Sequence, residues 1–156
     1  MQRVVELLKG KNKTISTMES CTGGGVANAI TNVSGASEII KFSAVTYSNE
    51  YKVKMGVAED IINKYTVYST ETANEMSKNI SLFANSNYGV GITGQINKID
   101  PNNITDENNK IYISIYDRDN DKFYNETLIA INDTREKNKE FIISKIADKL
   151  LEIIIK

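Results

Sequence analysis

The chain has no histidine, no tryptophan, one cysteine and one proline in 156 residues. Each absence removes a class of chemistry. Without imidazole no Ser-His or Cys-His nucleophile pair can form, so acyl transfer here needs another base, and lysine is the known substitute. With Cys21 as the sole cysteine, neither an intramolecular disulfide nor a cysteine-rich zinc site is available. A free thiol fits a reducing cytoplasm. Basic and acidic residues nearly cancel, 19 against 20, which leaves no global field to attract nucleic acid or an anionic membrane. No run approaches the roughly 18 apolar residues of a membrane span, and Met1–Lys9 is too charged for a signal peptide. The expectation is one soluble cytoplasmic domain over 1–156, with no nucleic-acid or membrane partner.

What is present is a regular alternation of elements. Val4, Leu7 and Leu8 recur at helical spacing before Gly10, which predicts a first helix. Thr14 to Met18 predicts a short strand, and Val26, Ala27 and Ile30 a helix from about Thr22 to Asn32. After the turn at Ser34-Gly35, Ile39 to Thr46 predicts a second strand, with helical segments after Ser48 and Ala58. Ser69 caps a helix that aligns Ala73, Met76, Ile80 and Phe83 on one face. Tyr88 to Thr93 predicts a strand closed by Gly94, and Gln95 to Lys110 a long polar loop carrying Pro101. Ile111 to Tyr116 and Phe123 to Ile131 predict a hairpin; Asp133 would cap a last helix striped by Ile142, Ile146, Leu150 and Ile153 or Ile154. Helices alternating with strands, plus one hairpin, predict an α/β domain built on a mixed sheet.

Two segments carry chemistry. In Glu19-Ser20-Cys21-Thr22-Gly23-Gly24 a strand runs into glycines and a helix start. Such a junction gathers unpaired backbone N–H groups that favour an oxyanion or phosphate. Ser20 would sit at its mouth as nucleophile, while Cys21, with no histidine to pair with, reads as a small buried residue. The spacing matches neither a Walker loop, nor the dinucleotide fingerprint, nor the serine hydrolase elbow. In Thr46-Tyr47-Ser48-Asn49-Glu50-Tyr51-Lys52, Lys52 is the candidate base, and it must be neutral to act, which burial would favour. Lys54 is the alternative base. Tyr47 can relay a proton or position the lysine, or serve as a core-edge aromatic. Ligands of α/β sheets collect at the carboxyl ends of strands, so Ser20, Tyr47 and Thr93 are placed to face one crevice. Arg135 is a candidate for a substrate phosphate. Asp117, Asp119 and Asp121 lack the glycine and glutamate spacing of a calcium loop and read as a hairpin turn.

Taken together these segments resemble the competence-damage-inducible CinA C-terminal domain family, which includes the nicotinamide-nucleotide amidases. Glu19-Ser20-Cys21-Thr22-Gly23-Gly24 is similar to its first signature, and Thr46-Tyr47-Ser48-Asn49-Glu50-Tyr51-Lys52 to its Thr-Tyr-Ser-Asn-Glu-Ala-Lys segment. Val33-Ser34-Gly35-Ala36-Ser37, Gly56-Val57, Ser69-Thr70-Glu71 and Gly91-Ile92-Thr93-Gly94 follow in the family's order.

The resemblance implies a three-layer α/β/α sandwich, a homodimer, and hydrolysis of nicotinamide mononucleotide to nicotinate mononucleotide and ammonia without metal or cofactor. By motif Ser20 is the nucleophile, Lys52 the base and Tyr47 the assisting group, with N–H groups near Thr22 and Gly23 holding the oxyanion. Glu19, Thr22, Gly23, Gly24, Thr46, Asn49, Thr93, Gly94 and Arg135 are the implied substrate-binding positions. One departure stands out. Where the family continues Ile-Ala-Gly-Pro after Thr-Gly, this chain reads Gln95-Ile96-Asn97-Lys98, and Lys139 stands where a second arginine is expected. A second reading rests on that departure: a nucleotide-binding relative of the same fold, without the chemistry or with another substrate.

Overall fold

A computed structural model of the chain describes residues 1–97 and 108–156. The order is α1 (Gln2–Gly10), β1 (Ile15–Glu19), α2 (Gly25–Thr31), a short 3-10 turn (Ala36–Glu38), β2 (Ile40–Val45), α3 (Asn49–Lys54) and α4 (Glu59–Tyr65). It continues with α5 (Thr70–Ala84), β3 (Tyr88–Gly94), β4 (Lys110–Asp117), β5 (Lys122–Ile129) and α6 (Arg135–Ile155). The strands form one mixed sheet in the order β2-β1-β3-β4-β5. β1 runs parallel to both β2 and β3, and β3, β4 and β5 pair antiparallel.

Strand alternation decides what covers each face. Ile15 of β1, Val90 and Ile92 of β3, and Ile111, Ile113 and Ile115 of β4 join Val4 and Leu8 of α1 in the main apolar core. Val26 and Ile30 of α2 and the α6 stripe Ile142, Ile146, Leu150 and Ile154 complete it. On the opposite face Met18 packs with Met76 and Ile80 of α5 and with Val57. α5 lies unusually close to the sheet there. A Cβ on Gly89 would stand 1.9 Å from the Ser77 carbonyl oxygen, and one on Gly91 would stand 2.3 Å from that of Ala73. The two glycines of Tyr88-Gly89-Val90-Gly91 therefore let a helix backbone rest on the strand. Small hydroxyls fill the same layer, with Ser77 Oγ 2.9 Å from Ser114 Oγ. Helices thus cover both faces, and the α/β/α sandwich stands as expected.

Three local expectations shift. The helix expected from Thr22 begins at Gly25, because Gly23 and Gly24 hold positive φ of 62° and 91°, which a right-handed helix does not admit. Thr134, not Asp133, caps α6, its hydroxyl accepting from the Lys137 N–H at 3.2 Å. Phe83, expected on the buried stripe, is exposed and tilts against Phe42 with ring centroids 5.0 Å apart. Of the Gln95 to Lys110 loop, 98–107, including Pro101, lie outside the described residues. Among the described residues no helix is long and apolar enough to cross a membrane.

Candidate active site

The site forms where β1 and β2 end. Glu19 closes β1 in register with Ile92 and Val45, and the Ser20 N–H still donates to the Ile92 carbonyl at 3.0 Å. Ser20 is therefore fixed as an extension of the strand rather than left on a free loop. The next residues turn sharply: the Gly23 N–H donates to the Ser20 carbonyl at 2.9 Å, and α2 starts two residues later.

Glu19 organises that turn. Its carboxylate is fully buried and accepts from the Thr22 hydroxyl at 2.6 Å, the Val26 N–H at 3.0 Å and the Ala27 N–H at 2.8 Å. The Thr17 hydroxyl adds a fourth bond at 3.1 Å. It supplies a cap that Gly24 cannot give to α2, since the first N–H groups of a helix lack partners of their own. Both oxygens and the Thr22 hydroxyl are spent internally, so these two residues shape the turn instead of lining it toward a ligand.

Lys52 comes from α3 and is the decisive side chain. Only 2% of it is exposed, against the general rule that lysines stay in water. Its Nζ donates to Ser20 Oγ at 3.0 Å and to the Thr46 carbonyl at 2.8 Å. α3 can deliver it because Ser48 caps the helix, accepting from the Tyr51 N–H at 3.3 Å. The Thr46 N–H is tied to the Glu19 carbonyl at 2.8 Å, so both partners of Lys52 hang on β1. Lys54, the alternative base, is exposed and pairs with Glu50 at 2.5 Å. Asn49, the first residue of α3, is half-buried.

The remaining expected residues divide into those near this pair and those occupied elsewhere. Tyr47 is 63% exposed, and its hydroxyl accepts from Arg135 Nη2 at 3.3 Å instead of meeting Ser20 or Lys52. Arg135 also donates from Nη1 to the Ile96 carbonyl. Lys139, one turn along α6, brings its Nζ to the Gly23 turn, 3.4 Å from where a Cβ on that glycine would lie. Lys139 thus stands over Gly23 while Arg135 holds the neighbouring Tyr47, two cations of α6 in a setting suited to an anion. Thr93 spends its hydroxyl on the Val67 carbonyl at 2.7 Å. At Gly94 β3 lies tight against β4: a Cβ there would stand 2.6 Å from the Lys110 carbonyl oxygen, so this glycine serves strand pairing.

Cys21 is buried, and burial pushes its thiol up to about 12; it is an inert small residue, as read from the sequence. Asp117 folds the hairpin turn by accepting from the Asp119 N–H at 3.1 Å and the Asn120 N–H at 3.3 Å. Among the described residues no group of three or more cysteine, aspartate or glutamate side chains stands where it could hold a metal ion.

The family profile described as the CinA C-terminal domain matches residues 1–154. The chain belongs to this family. A CinA-like protein of Kosmotoga olearia is 47% identical over 92 residues, which cover 58% of this chain and 22% of that relative. A putative competence-damage inducible protein of Clostridium beijerinckii is 49% identical over a stretch covering the same shares. The chain thus matches about 22% of the length of these relatives. Among solved structures, the competence/damage inducible protein CihA of Agrobacterium tumefaciens superposes with a TM-score of 0.86 at 24% identity, covering 99% of this chain and 92% of that one. A CinA superfamily protein of Klebsiella pneumoniae gives 0.88 at 20% identity, covering 99% and 94%. At such identities the likeness shows the fold alone.

One residue of this CinA domain was not singled out as a site candidate from sequence. Gln95, at the departure from the family pattern, is buried, with neither its Oε1 nor its Nε2 hydrogen-bonded. The Thr46 hydroxyl is likewise buried and without a partner. The available signal was period two: Gln95 follows Thr93 on the same face of an extended strand.

Proposed function

We propose that this domain is a serine amidohydrolase of the nicotinamide-nucleotide amidase kind, converting nicotinamide mononucleotide to nicotinate mononucleotide and ammonia. The observation that carries the reading is the 3.0 Å contact between Lys52 Nζ and Ser20 Oγ, made by a lysine buried to 2% exposure. A surface lysine meeting a serine would mean little. A buried one gives up hydration that only the charged form needs, so desolvation works toward the neutral amine that a base requires.

The chemistry then runs through this chain's own groups. One Nζ–H of the neutral amine donates to the Thr46 carbonyl, which turns the lone pair toward Ser20. Nζ takes the Ser20 proton as Oγ bonds to the carboxamide carbon. The Gly23 N–H is already engaged by the Ser20 carbonyl, which moves the oxyanion role to the N–H groups of Cys21 and Thr22. Neither of these donates to a backbone carbonyl among the described residues. Lys52 returns the proton to the nitrogen, the C–N bond breaks and ammonia leaves. Water, losing a proton to Lys52, then attacks the ester carbon, and Ser20 departs with that proton. Arg135 and Lys139 supply charge for the nucleotide phosphate.

The test is product formation. Purified protein incubated with nicotinamide mononucleotide should release nicotinate mononucleotide and ammonia in equal amounts, followed by chromatography and an ammonia assay. A folded protein that releases neither at micromolar enzyme would overturn the reading in favour of a binding-only relative.

A further inference from the structure

Four buried side-chain atoms among the described residues have no hydrogen-bond partner, and three of them belong to Thr46 and Gln95. The fourth, Asn74 Oδ1, lies on α5. Buried polar groups are ordinarily satisfied, and an amide with both ends unpaired calls for a physical reason.

Register shows where the two residues stand. The parallel ladder pairs Glu19 with Val45 on one side and Ile92 on the other. One step on, Thr46, Ser20 and Thr93 form a row across the three strands. Met18, two residues before Ser20, packs toward α5, so this row faces the α5 side. Gln95 continues the β3 ladder, its N–H donating to the Lys110 carbonyl at 3.0 Å. Ile96 packs into the core on the other face. Gln95 therefore points to the same side as Ser20, one pleat beyond Thr93, with the two Cα atoms about 8 Å apart by strand spacing.

We infer that Gln95 is a specificity-determining residue that reads the substrate's carboxamide by a two-point amide–amide pair. Its Oε1 accepts from the –NH2 group and its Nε2 donates to the carbonyl oxygen, so both orphaned atoms are satisfied only when a carboxamide is bound. Thr46, on the opposite flank of Ser20, offers a hydroxyl to the remaining polar edge. The role rests on the amidase reading for the identity of the carboxamide that Ser20 attacks. It also goes beyond that reading. A carboxylate product presents two acceptors to one donor and one acceptor, so Oε1 would face a like partial charge and the acid would be expelled. Substrate and product are thereby distinguished by a residue that forms no bond to the reacting carbon.

The test uses Ser20→Ala protein, in which binding is separated from turnover, and calorimetry with nicotinamide mononucleotide and nicotinate mononucleotide. The Ser20→Ala protein should bind the carboxamide about tenfold or more tightly than the acid. Adding Gln95→Met, which keeps the length and removes the amide, should weaken the carboxamide about tenfold and bring the ratio near one. Gln95→Met should also raise the melting temperature of the ligand-free protein, since an unpaired buried amide is removed. Should that variant fail to fold, Gln95→Asn withdraws the same amide by one methylene and should lower the ratio in the same sense. A ratio that survives the Gln95 substitution, or the absence of binding of either nucleotide to folded Ser20→Ala protein, overturns the inference. Failure of the amidase reading shows elsewhere, as no ammonia from the wild-type protein.

Discussion

Lys52 Nζ and Ser20 Oγ meet at 3.0 Å although 32 residues separate them in the chain, and the contact is assembled by two strand ends. β3 fixes Ser20 through the Ile92 carbonyl, and the Thr46 backbone fixes the lysine head through its own carbonyl. The pair inherits the rigidity of a sheet whose ladder sets both partners, rather than the looseness of two surface loops.

The exposed placement of Tyr47 divides two roles. Its hydroxyl meets Arg135 and not the nucleophile, so Tyr47→Phe should raise KM for nicotinamide mononucleotide by about two- to fivefold with kcat unchanged. Steady-state kinetics decide. A loss of about 10²-fold or more in kcat would instead show that Tyr47 relays a proton.

Glu19 should matter to stability ahead of binding. Glu19→Ala strands the Val26 and Ala27 N–H groups and the Thr22 hydroxyl, while the Thr17 hydroxyl keeps its bond to Ser43. The expected loss is about 3 kcal/mol or more in chemical denaturation. A loss under about 1 kcal/mol would contradict the capping role.

Much of the scaffold was legible because it is written in local periodicity. The α6 stripe and the Ser69 cap, which accepts from the Thr72 N–H at 3.1 Å, follow from the sequence alone. What was not legible depends on tertiary approach. Phe83 has the spacing of a buried residue yet lies beyond the edge of the sheet's cover, on Phe42. Gly89 and Gly91 look like ordinary strand glycines until α5 is laid on them. For the site, motif order nominated Ser20 and Lys52, but only the structure shows that Lys52 is buried and Lys54 exposed. Period two puts Gln95 on the Thr93 face, but the polar run that it opens does not show that its amide is enclosed.

Cys21 makes alkaline pH a probe of the turn. Burial raises its thiol from 9.0 to about 12. Above pH 9 the unfolded thiol gives up its proton while the folded one keeps it, so the unfolded state binds fewer protons and stability falls as pH rises toward about 12. Below pH 9 the contribution is complete. The melting temperature of Cys21→Ala should therefore decline less steeply than that of wild type above pH 9. Parallel curves would contradict it. Native protein should also resist thiol reagents at pH 8 that label it fully in denaturant.

The most direct measurement is ammonia release from nicotinamide mononucleotide by wild type, Ser20→Ala, Lys52→Met and Lys54→Met, prepared alike and checked for folding. The Ser20–Lys52 account predicts turnover by wild type and a loss of at least about 10³-fold in Ser20→Ala. It predicts a loss of about 10²- to 10⁴-fold in Lys52→Met, with Lys54→Met within about twofold of wild type. Full turnover in either Ser20→Ala or Lys52→Met would contradict it.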